Sequence, residues 1–335
     1  MSNPSTSPGE RKRQLQLWVT ARLGPALDAA QLQPLIVEAS SRHFYRLQVP
    51  SGESLIAVDA PPETENNPRY LAIAEAWGRA GLAVPRVHHA DLERGFLLID
   101  DLGTENIDEH LRGATADSIY ARAMRQLTEI QRLPADSDLY VRYDAAILER
   151  ELTVFRQWIC HRLLGISSGP LDRVSERLID SALDQRQVCI HLDYHSRNLI
   201  WRPRGDFGLV DFQDARIGPW TYDVVSLLRD CYQRWDEQDV RRWSEQWCAM
   251  PANQPHVNSD FHREFDWCGI QRHLKAAGIF VRMQLRDGKA QHLPHVIPTL
   301  ERVSVVGRQY ADLGEFADWI EGAVLPCLRE HLPCE

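Results

Sequence analysis

The sequence predicts an α+β fold in two lobes: a small antiparallel sheet with flanking helices, then a larger and mainly helical lobe. Three observations carry this expectation. Short β-type apolar runs separated by turn signals recur through the first hundred residues. From Asp117 onward the apolar residues recur at helical spacing instead. The shift falls near residues 103 to 116, which divides the chain into residues 1–102 and 103–335, and 335 residues are ample for two such units.

The elements follow in order. Leu15, Trp18, Val19 and Leu23 predict an amphipathic helix over Arg11 to Leu23, which Gly24-Pro25 ends. Three β-type runs come next, Leu35 to Glu38, Phe44 to Val49 and Leu55 to Val58. The turns Ser40-Ser41-Arg42-His43 and Ser51-Gly52-Glu53 join them as an antiparallel meander. A helix from Pro68 to Ala80 precedes two further strands, Val84 to Val87 and the run from Gly95 to Gly103, the second passing into a turn. In the larger lobe Ile119, Met124, Leu127 and Ile130 mark one helix, and Ile147, Leu148, Leu152, Phe155, Ile159 and Leu163 mark a longer one ending at Gly165. Gly218-Pro219-Trp220 opens a helix through Leu228, with Pro219 at its first turn. More amphipathic helices, among them Ile270 to Arg286 and Leu313 to Arg329, run to Leu332.

Composition narrows the function. A formal net charge of −9 without a dense basic stripe argues against nucleic acid as a ligand. The basic residues are 35 arginines and three lysines, Lys12, Lys275 and Lys289. Seven cysteines with no C-x-x-C pattern suit reduced thiols in a cytoplasm. Cys248, His256, His262 and Cys268 are too irregularly spaced to read as a zinc set. The Ser/Pro-rich stretch Met1 to Glu10 lacks a signal-peptide profile, and no apolar run approaches the ~20 residues of a membrane span. The expectation is a cytosolic protein without a membrane partner.

The chemistry gathers in one stretch. Ile190 to Ile200 brackets the polar loop His191-Leu192-Asp193-Tyr194-His195-Ser196-Arg197-Asn198 between β-type runs, and Gly208-Leu209-Val210-Asp211-Phe212 follows after a short hairpin. Asp193 and Asn198 are five residues apart, and Asp211 ends the next apolar run. Phosphoryl transfer needs such a set: an acceptor for the substrate hydroxyl proton, and carboxylate and amide oxygens for Mg²⁺. Asp193 is therefore assigned the base role, with Asn198 and Asp211 as metal ligands. The competing reading is a surface hairpin whose Asp and Asn only make turns; the ordered pair of loop and D-F turn argues against it. His191 is read as packing the loop.

The pattern H-x-D-x-x-x-x-N followed by D-F resembles the catalytic loop and metal-binding turn of the protein-kinase-like fold, in its small-molecule branch of aminoglycoside phosphotransferases and choline kinases. His195 at the second position after the Asp is more like that branch than like protein kinases. The resemblance implies an ATP- and Mg²⁺-dependent phosphotransferase with a cleft between its lobes. The turn Ser40-Ser41-Arg42-His43 would be the flap over the nucleotide phosphates, and the run holding Leu98 and Asp100 the hinge at the adenine; His195 joins this nucleotide-side group. Asp223 resembles the family Asp that anchors the loop backbone. One departure stands out: Val58 and Asp59 occupy the strand end where a Lys is expected, so Glu75 lacks its usual partner; either Arg42 or Arg46 substitutes, or the metal alone carries the phosphates, or the site is degenerate.

A closer resemblance spans most of the chain. Ala39 to Arg46, Leu55 to Glu63, Asp211 to Ala215 with Ser226 to Tyr232, and Gln271 to Lys275 with Gly278-Ile279-Phe280 look like the bacterial N-acetylmuramate/N-acetylglucosamine 1-kinase group, which also carries an Asp-Ala-Pro-Pro strand end. This implies transfer of the ATP γ-phosphoryl group to the anomeric hydroxyl of an amino sugar in peptidoglycan recycling. Arg150, Glu151, Arg229 and Asp230 are the candidate sugar contacts, carboxylates suiting hydroxyls and an Arg suiting the lactyl carboxylate. Gln271, Arg272 and Lys275 are read as packing the helical lobe. The alternatives are an aminoglycoside or other small-alcohol phosphotransferase of the same fold, or a nucleotide-binding pseudokinase.

Overall fold

The computed structural model describes residues 8–24, 32–35, 41–49, 52–113 and 115–332. The chain divides into two units, Met1–Glu105 with Ile200–Gln213, and Asn106–Leu199 with Asp214–Glu335.

In the first unit, helix α1 (Pro8–Leu23) precedes strands β1 (Gln33–Leu35), β2 (His43–Gln48) and β3 (Ser54–Asp59), helix α2 (Asn67–Arg79), and strands β4 (Val87–Asp91) and β5 (Phe96–Asp100). The strands form one antiparallel sheet in the order β1-β2-β3-β5-β4. One face carries Tyr45, Leu47, Ala57, Phe96 and Leu98, against which α1 buries Leu15, Trp18 and Val19. Burying each such large apolar side chain contributes about 1.5–3 kcal/mol. Arg11 of α1 adds a partly buried ion pair, its Nε 2.9 Å from Asp59 Oδ1. The side chain of Asn66 caps α2 by accepting from Arg69 N–H at 3.1 Å. The β4–β5 turn requires glycine at Gly95, where φ is +73° and a Cβ would lie 1.9 Å from the Ala60 carbonyl oxygen.

The sequence placed the fourth strand at Val84 to Val87, but it runs from Val87 to Asp91. It is an exposed edge strand with a register shift between Val87 and His89, so it shows little of the apolar alternation that marks a strand. Of the run Leu35 to Glu38, only Leu35 falls among the described residues, as the last residue of β1.

The second unit begins with α3 (Thr115–Gln131), β6 (Val141–Arg142), α4 (Ala145–Phe155), α5 (Gly169–Leu183) and β7 (Gln187–Ile190). The short strands β8 (Leu199–Ile200) and β9 (Gly208–Leu209) pair as a hairpin that, but for Leu199, belongs to the first unit. Then come β10 (Arg216–Pro219), α6 (Tyr222–Leu228), α7 (Glu237–Cys248), α8 (Phe261–Asp287), α9 (Val296–Gly307), α10 (Gly314–Trp319) and α11 (Leu325–His331). The long α8 runs through the core, contributing Ile270, Leu274, Ala277, Phe280 and Val281, with Leu152 and Phe155 of α4 and Val303 of α9 in the same cluster. Gly278 lets α8 close on α4: a Cβ there would stand 2.9 Å from the Phe155 nitrogen. Beyond Phe155 the α4 helix continues as wider π-type turns, Arg156–Leu164, ending at Gly165 with φ +65°.

Pro219 differs from its expected place. It ends β10 instead of opening a helix, and α6 starts at Tyr222. A proline is tolerated there because β6 pairs only with Arg216 and Ile217, so one side of Pro219 has no strand partner to lose. No helix among the described residues is long and apolar enough to cross a membrane.

Candidate active site

The polar loop leaves β7 at Ile190 and is held from both sides. The backbone N–H groups of His191 and Leu192 donate to the two Asp223 carboxylate oxygens at 2.6 and 3.0 Å. Asp223, in the first turn of α6, is fully buried. Burial, opposed by these two N–H groups, lifts its carboxyl to about 7. The double anchor holds Leu192 at φ +80°, a left-handed conformation costing about 1–3 kcal/mol in a residue with a side chain. That turn delivers Asp193.

On the other side, Ser196 donates through both N–H and Oγ to Asp230 Oδ2, at 2.9 and 2.5 Å, while Tyr232 N–H donates to Oδ1 at 2.9 Å. Between the anchors the loop closes on itself. His195 N–H and Asn198 Nδ2 both donate to the Asp193 carbonyl at 3.0 Å, and Asn198 N–H donates to the His195 carbonyl at 3.0 Å. With its amide nitrogen engaged there, Oδ1 is the oxygen acceptor that Asn198 keeps. The His195 ring packs edge-on to Tyr232, centroids 5.5 Å apart. His191 is fully buried, its ring edge-on to Tyr194.

Burial by itself would raise the Asp193 carboxyl, but Lys275, His195, Arg272 and His191 surround it and bring it below the ordinary carboxylate value. Lys275 comes from α8 and belongs to a cluster: its Nζ is 2.8 Å from Glu151 Oε1 and donates to the Tyr222 hydroxyl at 3.2 Å, while the Tyr143 hydroxyl donates to the other Glu151 oxygen. Burial would lower the lysine, but the Glu151 carboxylate beside it and the Asp193 charge raise it above its ordinary value, so it stays cationic. Sequence reasoning missed Tyr143 and Tyr222 and read Lys275 as packing. A signal was present, because Lys275 is one of three lysines among 35 arginines and falls on the inward face of its helix.

The other three sugar candidates differ from Glu151. Arg150 is exposed on α4. Arg229 is 4% exposed, with its guanidinium 2.8 Å from Glu237 and 2.7 Å from Asp266 and lying over the Phe265 ring. Asp230 is 1% exposed and, as above, holds the loop.

The remaining candidates belong to the first unit. Asp211 is exposed at φ +62° and accepts from Gln213 Nε2 at 2.6 Å. Phe212 beside it is fully buried against Tyr70 and Trp77 of α2, with centroids at 5.1 and 5.6 Å. Arg42 is 2.7 Å from Glu65, which also accepts from Ser41 Oγ. His43 is exposed at the start of β2, and Ser40 lies outside the described residues. Leu98 is fully buried with β3 paired to it on one side and β4 on the other. The Asp100 carboxylate accepts from Arg86 N–H at 3.0 Å and meets His88 Nε2 at 2.7 Å. Asp101 takes Arg46 Nε at 2.5 Å and Ser54 Oγ at 2.6 Å.

Comparison with known proteins agrees with this architecture. Two relatives cover most of the chain. The N-acetylmuramate/N-acetylglucosamine kinase of Pseudomonas putida is 38% identical over 91% of this chain and 95% of its own. The protein of the same name from Neisseria meningitidis is 35% identical over 82% and 85%. Among solved structures, choline kinase LicA from Streptococcus pneumoniae superposes with a TM-score of 0.64 at 13% identity, covering 89% of this chain and 100% of that one. An ethanolamine kinase from Plasmodium vivax gives 0.66 at 12%, covering 90% of each. The fold is thus the protein-kinase-like one, with an antiparallel-sheet unit and a helical unit. Residues 31–265 match the profile of the phosphotransferase enzyme family (APH), and the chain belongs to that family.

Proposed function

We propose that the chain transfers the γ-phosphoryl group of ATP to the C1 hydroxyl of N-acetylmuramic acid, N-acetylglucosamine or both, in the cytoplasm, as a step of peptidoglycan recycling. The observation that carries this reading is the 38% identity to a kinase of that name over 91% of this chain and 95% of the relative. The charge around Asp193 supports it. An Asp kept ionised by neighbouring cations is a weak base, suited to orienting a hydroxyl and taking its proton late, as the bond to phosphorus forms. A hemiacetal hydroxyl, acidified by its ring oxygen, suits such a base better than a simple alcohol does.

Asn198 and Asp211 offer only hard oxygen donors, the kind Mg²⁺ takes, so their chemistry fits the metal that ATP brings. Bound there, the ion would supply positive charge to the phosphate oxygens. Ser40, Ser41, Arg42, His43, His195 and the main chain around Leu98 and Asp100 are assigned to the nucleotide. Glu151 is assigned to the sugar hydroxyls with Arg150 beside it in the chain, while Asp230 is assigned to the sugar through the loop it holds at Ser196, with Arg229 next to it in the chain. Neither nucleic acid nor a membrane is a partner in this reading.

The test is an ADP-release assay with Mg-ATP against N-acetylmuramic acid, N-acetylglucosamine, their 1-O-methyl glycosides and kanamycin. Turnover of the free sugars and none of the methyl glycosides is expected. Turnover of kanamycin alone would move the assignment to antibiotic phosphorylation, and turnover of nothing to a nucleotide-binding pseudokinase.

A further inference from the structure

The first unit holds no lysine where the family resemblance expects one. Between Lys12 and Lys275 the chain has none. β3 ends in Asp59, whose carboxylate is 3% exposed and already paired with Arg11. Glu75, the acid that such a lysine would meet, lies on the outer face of α2 and pairs with Arg79 one turn on. Arg46, the other cation of the meander, is engaged by Asp101 and by the Gly103 carbonyl at 3.1 Å.

A different cation–carboxylate pair stands in the same unit. Arg42 and Glu65 meet at 2.7 Å with side chains only 8% and 13% exposed. The guanidinium lies 5.4 Å from the centroid of the Tyr70 ring. Tyr70 in turn stacks on Phe212 at 5.1 Å and 26°, and Phe212 follows Asp211 directly. The flap residue, the α2 aromatic and the turn that carries the assigned metal ligand therefore form one continuous stack, and the hydroxyl of Tyr70 feels both the Arg42 and the Asp211 charges.

We propose that Arg42, held by Glu65 and Tyr70, is the cation that grips the nucleotide phosphates in this chain, with Glu65 in the role that Glu75 would otherwise fill. The inference rests on the kinase reading above. A guanidinium carries five N–H donors in a planar fork, a geometry that can meet a carboxylate and phosphate oxygens together. Because an ammonium is a point charge without that fork, Arg42→Lys restores the contact only in part.

The experiment is calorimetric titration of the full chain with ATP and, separately, with adenosine, on the wild type and on Arg42→Ala, Arg42→Lys, Glu65→Gln and Glu75→Ala. Losing a charge-assisted contact, Arg42→Ala is expected to weaken ATP by about tenfold to a hundredfold while adenosine stays within about twofold. Arg42→Lys and Glu65→Gln fall between, and Glu75→Ala binds like the wild type. Arg42→Gln supplies the same ratio if the alanine variant does not fold. Unchanged ATP affinity in Arg42→Ala overturns the inference, and so does an equal loss of ATP and adenosine, which is what a merely structural residue would give. A wild type that binds ATP yet phosphorylates no sugar sinks the proposed function but leaves the ATP-to-adenosine ratio to decide the role of Arg42.

Discussion

Replacing Lys275 with Met removes a cation that pairs with Glu151 and also acts on Asp193. The Lys275–Glu151 pair is 2.8 Å long with side chains 16% and 13% exposed, and breaking a buried pair by deleting one partner costs about 3–5 kcal/mol. Because the Tyr143 hydroxyl remains on Glu151, the lower end, about 3 kcal/mol, is expected. Urea denaturation at pH 7 reads it. Adding Glu151→Gln removes the stranded charge, so the double variant is expected to recover about 1 kcal/mol or more. The second readout is the acid limb of kcat/KM. With Lys275 gone, burial acts on Asp193 with less opposition, its pKa rises, and the limb moves to higher pH. The stability contribution follows the same sign. A carboxyl depressed on folding stabilises above its unfolded pKa of about 3.9 and loses that contribution as the pH falls. Lys275 is raised on folding, so its own contribution is complete below about 10.4 and is lost as the pH rises through the folded value. A wild-type urea midpoint together with an unmoved acid limb would refute this account of the cluster.

Three further outcomes can be checked directly. Asp193→Asn is expected to lower kcat by about 10²–10⁴ while calorimetric Mg-ATP affinity is kept; near-normal turnover would take the base role away from Asp193. Asp230→Ala strips the loop of its bonds to Ser196 and Tyr232 and is expected to cost at least about 1.5–3 kcal/mol in urea and to expose the loop to limited proteolysis. A protease-resistant variant of wild-type stability would show that Asp223 alone holds the loop. Gly278→Ala brings a methyl to 2.9 Å from the Phe155 nitrogen and 3.0 Å from its Cα, and since backbone cannot step aside, a loss of about 1–3 kcal/mol is expected; an unchanged melting temperature would mean that α8 and α4 can separate freely.

Much of this protein is written locally. The strands of the meander, α2 and the helices after Asp117 follow from apolar period and turn residues within short windows, and the catalytic candidates Asp193 and Asn198 share a single loop whose spacing carries its chemistry. Asp223 too was legible, through resemblance, as the anchor of that loop. What escaped was contact between residues far apart in sequence. Tyr143, in the link between β6 and α4, and Glu151, Tyr222 and Lys275, on three separate helices, are spread over more than a hundred residues, so no window reveals that they form one cluster beside Asp193. Arg229 and Asp230 look like free polar groups in the sequence, and only packing shows Asp230 bonded to Ser196 and Arg229 to Asp266. Pro219 reads as a helix start until β7 is seen beside it. The segment Ile200–Gln213 returns to the first unit although helical sequence lies on both sides of it. The sequence by itself determined the two-lobed α+β class and the loop to which the chemistry is assigned, because period and spacing are properties of neighbouring residues. Only the tertiary structure decided which charges meet, since burial and pairing depend on side chains that the fold brings together from distant parts of the chain.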